Sequence, residues 1–518
     1  MDNFFTKVSK NIDERLLEQY FVDHQEIIID VNIDGLDPFE STNDCFWPII
    51  GCFEDDPQPF IIAVYFGKGK PCDMETFLGQ YVEEVKELQE QGVEIFKHIY
   101  PFRVRNYVLD APARSLIKCI IGHNGRFACE KCKVKGEYYL SRQIFLNLDA
   151  ELRTDESFRT RSNIFHHTGN SPLERIPTGM VSQFRLDALH LVWAGVWKRW
   201  LTFVLGLKNR RGIASDADVQ EINNKILQLT PYIPKIFNRR PRTFKYFAKF
   251  KSTEFRRMLL YDGLIVFKHL DKKLWKSYIL LQSSIYMLAR PDLVQHMTPA
   301  ADVIIRQFIK HAIKVFGKQF VVYNVHSLCH LSEECRLHGA IDSFSAFKYE
   351  NFFMTIKNCL RSTYKPLEQL VNRDFETKGR LTSKIFQPDD RTVKLNGLCE
   401  NIVDNIEGDM YSSIEIDGIC LNTNLADRCF LTKCNTVVLL RNIIHTFEGR
   451  IKLNGQKFCT MTDYYTYPCN SSQLGIWKVS SLDLQVYAWN ISQFAAKCVL
   501  LPLGNEEFLT VPLIHSHN

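Results

Sequence analysis

One carboxylate and a pair of cysteines lie close together in the sequence and have residue types that suit metal chemistry. Asp110 follows an apolar, strand-like run and precedes Ala111-Pro112. Because the residue before a proline disfavours helical geometry, Asp110 is expected at the end of a strand. The spacing of Cys129-x-x-Cys132 lets two thiolates share one tetrahedral zinc ion. The alternatives are an aspartate that caps a strand or turn, and two buried thiols.

Two histidines complement the cysteine pair. His326 and His330 are four residues apart, and on a helix this spacing places both imidazoles on one face. A tetrahedral site that contains Cys129 and Cys132 needs two more ligands, which these histidines can supply. Two isolated histidines in a core are the commoner case. The rival donors are His166, His167 and His190.

A third acidic residue lies in an aromatic environment. Asp342 or Ser345 can cap a new helix, and one face of that helix carries Glu350 among phenylalanines. A buried carboxylate costs free energy unless it is paired or binds a metal ion. Glu350 therefore either reaches outward to solvent or completes a metal site.

The elements around these carboxylates predict a mixed sheet. An antiparallel meander is indicated by three short apolar runs with turn-rich connections, at residues 26–34, 46–53 and 59–67. An amphipathic helix over 74–93 and a fourth strand over 103–110 follow. The helix permits a crossover that places the fourth strand parallel and adjacent to the first. Asp34, at the end of the first strand, would then meet Asp110 at one edge of the sheet.

This order of elements is that of an RNase H-like fold, in which paired carboxylates on neighbouring strands hold divalent metal for phosphodiester chemistry. We predict an α/β chain in which a large, mainly helical insertion interrupts an RNase H-like catalytic core and a β-rich C-terminal domain follows. In an unrelated α/β domain, both aspartates would merely end strands. The predicted divisions are a short helical N-terminal segment (1–25), the first part of the core (26–115), the zinc-bearing helical insertion (116–340), the final core helix with the glutamate (341–374) and the β-rich domain (375–518).

Composition narrows the class of protein. The formal net charge of the 518 residues is only +5, so any basic surface must be local. The N-terminal residues lack a signal-peptide layout, and in that context the 16 scattered cysteines favour buried thiols or metal ligands over disulfides. The best membrane-span candidate, LVWAGVWKRWLTFVLG, is interrupted by Lys198 and Arg199. We therefore expect an intracellular protein without a membrane partner.

A basic and aromatic stretch at 234–257 is the candidate DNA-binding surface. Basic groups neutralise phosphates, and aromatic rings stack on exposed bases. The alternative, favoured slightly for this stretch alone, is an ordinary helix with a solvated basic face and an aromatic core stripe. The candidate cations are Lys235, Arg239, Arg240, Arg242, Lys245, Lys249, Lys251, Arg256 and Arg257.

Five short motifs occur in a fixed order. They are IDGLDPF with FWPII (33–50), DAPARS with the CxxC (110–132), RLDALHLVWAGV (185–196), STEFRRMLLY (252–261), and NVHSLCHL through FSAFKYENF (324–352). In this order they resemble the CACTA (EnSpm)-type DDE transposases of animal genomes. The resemblance covers residues 27–372, and the C-terminal segment more weakly.

The resemblance implies a catalytic triad of Asp34, Asp110 and Glu350. Such a triad holds two Mg²⁺ or Mn²⁺ ions, which serve to cleave and join DNA at transposon ends. It further implies DNA as the partner, a nuclear location and action as a dimer or larger assembly. Because no separate sequence-reading module is evident at the N-terminus, the alternative is a catalytically silent, transposase-derived DNA-binding or interaction protein.

The chain is also similar to the catalytic subunit of the V(D)J recombinase. In that protein a CxxC after the second aspartate and a histidine pair before the glutamate share one structural zinc ion. By that analogy Cys129, Cys132, His326 and His330 form the zinc site. The zinc ion would tie the start of the helical insertion to its end and so position the helix that carries Glu350.

Overall fold

The chain divides into two units, each built from two separate segments of sequence. The computed structural model describes residues 4–5, 21, 24–39, 42–54, 58–206, 212–377, 393–399 and 408–514. The first unit comprises Met1–Gly195 with Gly317–Gln387, and the second comprises Val196–Phe316 with Pro388–Asn518. The helix predicted within residues 1–25 falls mostly outside the described residues, and Phe4–Phe5 form a short strand.

A five-stranded mixed sheet is the centre of the first unit. Its strands lie in the spatial order β1 (Phe4–Phe5), β4 (Phe60–Lys68), β3 (Asp44–Phe53), β2 (Ile27–Ile33) and β7 (Phe102–Tyr107). The antiparallel meander predicted for β2, β3 and β4 and the parallel pairing predicted for the first and fourth core strands, β2 and β7, are both confirmed. In chain order the strands of this unit are β1 Phe4–Phe5, β2 Ile27–Ile33, β3 Asp44–Phe53, β4 Phe60–Lys68, β5 Val93–Ile95, β6 His98–Tyr100, β7 Phe102–Tyr107, β8 Glu137–Tyr139 and β9 Arg142–Ile144.

The helix Met74–Gln91 forms the crossover between β4 and β7. Asp73 caps its N-terminus, and Gly92 follows its last residue with a φ of 73°, in the left-handed region that glycine tolerates. The apolar face of the helix joins one face of β2 in a single core. The helix side chains in that core include Leu78, Tyr81, Val82 and Val85, and those of β2 are Ile27, Ile29, Val31 and Ile33.

Alternation along β2 places its polar residues on the opposite face of the sheet. Asp30 is 1% exposed, and its carboxylate accepts a 2.8 Å hydrogen bond from Arg105. Lys348 Nζ lies 3.9 Å from the same carboxylate, so the helix that carries Glu350 packs on this face. Since residues two apart share a face, Asp34 is delivered to the same side as Glu350.

The ends of β2 and β7 are joined directly ahead of the two aspartates. Asn32 Nδ2 donates a 2.7 Å hydrogen bond to the Val108 carbonyl, and the Val108 N–H donates to the Val31 carbonyl at 2.9 Å. These bonds hold the chain that leads to Asp110 against the end of β2. Asp34 and Asp110 therefore emerge side by side at one sheet edge.

Short helices complete the first unit and frame its sheet. Residues 183–185 run parallel to the free side of β7, because the Tyr107 N–H donates to the Gln183 carbonyl at 2.8 Å. They lead into a π-helix, Leu189–Trp197. The other helices of this unit are Ala111–Ile117, Asp155–Arg159, Ile164–His166, Pro172–Arg175, Lys318–Phe320, Tyr323–Ser327, Leu328–His330, Leu331–His338, Phe347–Asn358 and Pro366–Glu376.

The second unit combines a helical middle region with a β-rich C-terminal region, as predicted. The rings of Trp197 and Trp200 stack in its helical core with centroids 4.9 Å apart. Tyr286 Oη donates to the Pro512 carbonyl at 2.7 Å, and this hydrogen bond joins the helix Lys272–Ala289 to the end of the last strand. Its helices are Lys198–Leu205, Asp216–Leu229, Thr230–Tyr232, Phe244–Lys249, Ser252–Arg257, Met258–Asp262, Gly263–Val266, Lys272–Ala289, Pro291–Phe316, Ser471–Leu474 and Ile491–Gln493.

Ten strands form the antiparallel sheet of the second unit. Its path runs β10-β11-β14-β13-β18-β19-β16-β15-β17, with β12 beside β11, and β14 also pairs with β15. That extra pairing closes six of the strands into a ring. The strands are β10 Val393–Leu398, β11 Gly408–Ile416, β12 Ile419–Asn422, β13 Cys429–Thr432, β14 Val437–Thr446, β15 Ile451–Asp463, β16 Trp477–Leu482, β17 Tyr487–Asn490, β18 Phe494–Gly504 and β19 Glu507–Pro512.

The predicted insertion, 116–340, is divided between the units. Residues up to Gly195 and from Gly317 belong to the first unit, and the intervening helices belong to the second. Among the helices that the structure describes, none combines the length and the apolar character needed to cross a bilayer.

The side chain of Asn32 provides a test of how the two strand ends are held together. Asn32→Ala removes its bond to Val108 and leaves that buried carbonyl with one partner fewer, so the free energy of unfolding should fall by about 1–3 kcal/mol. Urea unfolding followed by circular dichroism measures the change. The exposed Asn124→Ala is the matched control and should change stability by less than about 0.5 kcal/mol. Equal stability of both variants would contradict this account.

Candidate functional site

Four side chains of the first unit form a buried cysteine–histidine cluster: Cys129, Cys132, His326 and His330. One ligand atom from each lies within 4.8 Å of the others. Cys129 Sγ lies 3.5 Å from His330 Nε2, and Cys132 Sγ lies 3.3 Å from His326 Nε2. Ligands of tetrahedral zinc, with bonds of about 2.0–2.3 Å, stand about 3.3–3.8 Å apart. The spacing therefore fits one Zn²⁺.

Arg153 holds the cysteine pair in place, and the surroundings of the two thiols shift their pKa values. Arg153 Nε donates to the carbonyls of Cys129 and Cys132, at 3.0 and 3.1 Å, and so fixes the loop. Burial opposes ionisation of the Cys129 thiol, but the hydrogen bond with Cys132 and the nearby His330 and His326 hold its pKa well below the usual value. The pKa of Cys132 is raised by that same hydrogen bond and by burial. The cluster thus favours one thiolate even before a metal binds.

The acid between the two cysteines connects this cluster to the Asp110 segment. Glu130 is 4% exposed and accepts hydrogen bonds from Arg114 Nε at 2.8 Å, Lys118 Nζ at 2.9 Å and Tyr323 Oη at 2.8 Å. Arg114 also donates to the Leu109 carbonyl at 2.6 Å. Burial raises the pKa of Glu130, but the charges of Arg114 and Lys118 outweigh it and hold the pKa far below its ordinary value.

A second cluster lies at the sheet edge and comprises Asp34, His190 and Glu350. One ligand atom from each lies within 4.8 Å of the others. His190 Nε2 is 3.5 Å from Glu350 Oε1, and His190 Nδ1 is 2.7 Å from Asp187 Oδ2. The Glu350 side chain is 39% exposed, which leaves the carboxylate open to solvent.

Asp110 stands beside this cluster rather than inside it. It caps the helix Ala111–Ile117, and its Oδ1 accepts a 2.7 Å hydrogen bond from the Ala113 N–H. β7 ends at Tyr107, and Pro112 lies in the first helical turn, where proline is well tolerated. Asp110 is thus a helix cap just beyond the strand, whereas the sequence predicted a strand end.

Electrostatics mark this edge as a place of crowded negative charge. The pKa of Asp34 is raised to about 7, first by burial and then by the charge of Asp110, with a smaller contribution from Glu350. Burial lowers the pKa of His190, but its hydrogen bonds with Asp187 and Glu350 outweigh this and raise the pKa to about 11. An imidazolium therefore lies among the carboxylates when no metal is bound.

Asp187 positions the glutamate from a distant segment. Its Oδ1 accepts a 2.8 Å hydrogen bond from the Ala346 N–H, at the start of the helix that carries Glu350. Its Oδ2 accepts from the His190 N–H at 3.0 Å, at the start of the π-helix. π-helical segments are rare and often occur at functional sites. The Asp187-x-x-His190 spacing in the sequence was the available signal for this pair.

The rival zinc donors lie outside the cysteine–histidine cluster. His190 belongs to the carboxylate cluster, and His166 Nδ1 is 2.7 Å from the Phe127 carbonyl. His167 packs edge-on against Phe158 at 4.6 Å.

The basic stretch of the second unit requires a correction. Arg256 and Arg257 are 4% and 2% exposed, and Arg257 donates to the Asp262 carboxylate and the Arg239 carbonyl. They cannot form part of a DNA-binding surface. Arg242 pairs with the buried Glu254 at 2.6 Å. The remaining candidates are exposed: Lys235, Arg239, Arg240, Lys245, Lys249 and Lys251.

Four phenylalanine rings of that stretch pack on one another, whereas Tyr246 is 46% exposed. Phe244, Phe247, Phe250 and Phe255 are all buried, with ring centroids 5.7–6.1 Å apart. Buried rings cannot stack on bases. The alternative of a solvated basic face over an aromatic core describes this stretch better.

Comparisons with known proteins concern the C-terminal region. A family described as a domain of unknown function (DUF8592) matches residues 394–513. No curated protein matches the chain. The matched segment contains neither cluster, so the function of both clusters has to be argued from their geometry.

Metal content tests the cysteine–histidine cluster. Wild-type protein should carry one zinc ion per chain in elemental analysis, and Cys132→Ser should lose it because a thiolate ligand is gone. Cys335→Ser is the matched control, since Cys335 is equally buried but is not among the four clustered residues. Zinc retained by Cys132→Ser, or lost equally from both variants, would contradict the assignment.

Stability as a function of pH tests the crowding at Asp34. Its pKa is 3.8 when unfolded and about 7 when folded, so ionisation opposes folding. This cost is absent below pH 3.8, grows until about pH 7 and is constant above. Without added divalent cations, Asp34→Asn should raise the free energy of unfolding at alkaline pH by up to about 4 kcal/mol.

The control for this measurement is Asp37→Asn, which removes an exposed carboxylate three residues away. At acidic pH all three proteins should have the same stability, because the Asp34 carboxyl is then protonated in both states. A pH-independent difference between Asp34→Asn and wild type would show that ionisation of Asp34 is not the cause.

Proposed function

We propose that the first unit is an RNase H-like catalytic core of the DDE transposase type, which cleaves and joins DNA phosphodiester bonds with two divalent metal ions. The observation that carries the proposal is the meeting of Asp34 and Glu350, distant in sequence, within 4.8 Å at the sheet edge where Asp110 also emerges. The sheet order, with a parallel β7 beside β2, supports the same fold.

The chemistry of the carboxylate donors fits hard divalent cations. Asp34, Asp110 and Glu350 offer oxygen ligands, which Mg²⁺ and Mn²⁺ prefer. Burial and then the neighbouring charge of Asp110 raise the pKa of Asp34, so a cation there would relieve a cost that the protein itself leaves in place. When bound, the metal ions supply activation of the attacking oxygen and stabilisation of the leaving oxygen. No side chain has to act as the nucleophile.

The residues around the triad have positioning roles. Asp187 orients His190 and the start of the Glu350 helix through its two carboxylate oxygens. His190 in turn reaches Glu350 and steadies that carboxylate before metal binds. The sulfur and imidazole donors of the cysteine–histidine cluster suit Zn²⁺, which would have a structural role because all four residues are buried.

A second candidate is a transposase-derived protein that binds DNA without cleaving it. One observation favours it, namely that the His190 imidazolium already places a positive charge beside Glu350. If this charge is never displaced, the carboxylates are balanced without metal ions and no chemistry follows.

Nicking of supercoiled plasmid DNA in Mg²⁺ or Mn²⁺ tests the proposal and separates the two candidates. Asp110→Asn and Glu350→Gln should each lower the rate by more than about a hundredfold, the upper range for residues that merely orient metal ligands. Asp37→Asn, which alters an exposed carboxylate, should nick at the wild-type rate. Nicking that persists fully in Asp110→Asn would refute the proposal, and a zinc-loaded wild type that binds but never nicks DNA would establish the second candidate.

A further inference from the structure

A small hairpin next to the cysteine–histidine cluster carries an exposed apolar tip. β8 and β9 pair antiparallel over Glu137–Ile144, which we name the tyrosine hairpin. Tyr138, Tyr139 and Leu140 are 77%, 41% and 65% exposed. The ribbon is a separate two-stranded sheet. Three adjacent, exposed apolar side chains contribute little to folding and indicate a contact surface.

The turn of the hairpin is unfavourable for the residues that form it. Leu140 and Ser141 have φ values of 45° and 58°, as a two-residue turn of this hand requires. Asparagine and glycine adopt this geometry readily, whereas a bulky residue such as leucine does so at a cost. The sequence thus keeps an apolar side chain at a position where turn stability alone would favour a different residue.

The base of the hairpin is fixed to the cysteine–histidine cluster. The Phe145 N–H donates to the Val321 carbonyl at 2.9 Å, and the buried Phe145 ring lies 5.9 Å from the ring of His326. On the other strand, the Gly136 N–H donates to the Arg126 carbonyl at 2.7 Å. An exposed apolar tip therefore stands on a base that is tied by backbone hydrogen bonds and that a bound zinc ion would hold.

Exposed cations lie on the hairpin and at its base. Arg126, Lys135 and Arg142 are exposed, and the exposed acid in the same segment is Glu137. Near Arg126, the 69% exposed Phe165 stacks on Phe127 at 5.6 Å. Exposed rings interleaved with cations match single-stranded nucleic acid, because bases stack on aromatic faces and phosphates attract the cations.

We propose that the tyrosine hairpin binds unpaired bases of DNA, with Tyr138 and Tyr139 as stacking platforms and Arg126, Lys135 and Arg142 as phosphate contacts. The inference rests on the proposed function, since it names the form of DNA that the catalytic unit would hold: an end with unpaired nucleotides. In the basic stretch of the second unit, by contrast, the clustered phenylalanine rings are buried.

The test compares binding of a fluorescent blunt duplex with that of the same duplex carrying a single-stranded tail. Fluorescence anisotropy of the full chain, without divalent cations, measures both affinities. Wild type should prefer the tailed duplex by about tenfold or more, and Tyr138→Ala/Tyr139→Ala should lose that preference. Tyr138→Phe/Tyr139→Phe is the matched control and should keep it, because phenylalanine retains the stacking face. Arg142→Ala should weaken binding to both duplexes and reduce the dependence on salt.

Each other result has a defined meaning. A double alanine variant with wild-type zinc content and an undiminished preference overturns the inference, as does a wild type that shows no preference for the tail. A changed oligomeric state in light scattering, with DNA affinity unaltered, would assign the hairpin to a protein contact and also overturn it. Plasmid nicking is measured separately. If the double alanine variant nicks normally and neither it nor the wild type prefers the tailed duplex, the role of the hairpin is refuted and the catalytic proposal stands. If the wild type prefers the tailed duplex but does not nick DNA, the catalytic proposal alone is refuted.

Discussion

The buried ion cluster around Glu130 is the contact on which both candidate sites depend. Glu130 lies between the two cysteines in the sequence, and its carboxylate accepts hydrogen bonds from Arg114, Lys118 and Tyr323. Arg114 and Lys118 follow Asp110 along the chain, whereas Tyr323 begins the helix that contains His326. Loss of one partner would leave a charge buried without compensation, which costs several kcal/mol, about 3–5 in comparable pairs. A zinc ion with two thiolates is neutral, so metal binding leaves this balance of charges intact.

Much of the sheet could be predicted, because the signals that define it are local. Short apolar runs separated by turn residues predicted the meander, and the amphipathic helix before β7 permitted a crossover that places β7 parallel to β2. The CxxC and the histidine pair were predicted to meet on ligand spacing and resemblance, and the structure brings those four side chains together. Glu350 joined the site by resemblance, since no local pattern could specify which helix would reach the sheet edge.

The roles of some side chains could not be predicted from the sequence, because they depend on contacts with residues that only the fold brings close. His190 was considered as a zinc donor, and its role beside Glu350 became clear because a π-helix, which has no readable period, turns it toward the carboxylates. Arg256 and Arg257 belong to a stretch whose composition suggested DNA binding, but both side chains are buried, and Arg257 donates to Asp262. A cation in a sequence has the same letter whether its partner is a phosphate or a buried carboxylate, so composition could not separate the two cases.

The carboxylate cluster is a site where function conflicts with stability. Burial and neighbouring charge raise the pKa of Asp34, which means that the folded protein resists its ionisation. The positive charge of His190 relieves part of the repulsion, and Asp187 holds the His190 ring in place through its Nδ1 atom. The repulsion that remains is tolerable because hydrogen bonds such as that of Asn32 fix the strand ends independently. A cation that enters the site would relieve the repulsion that remains, but the His190 imidazolium beside Glu350 would first have to lose its proton or move away, so this histidine sets the electrostatic cost of metal binding.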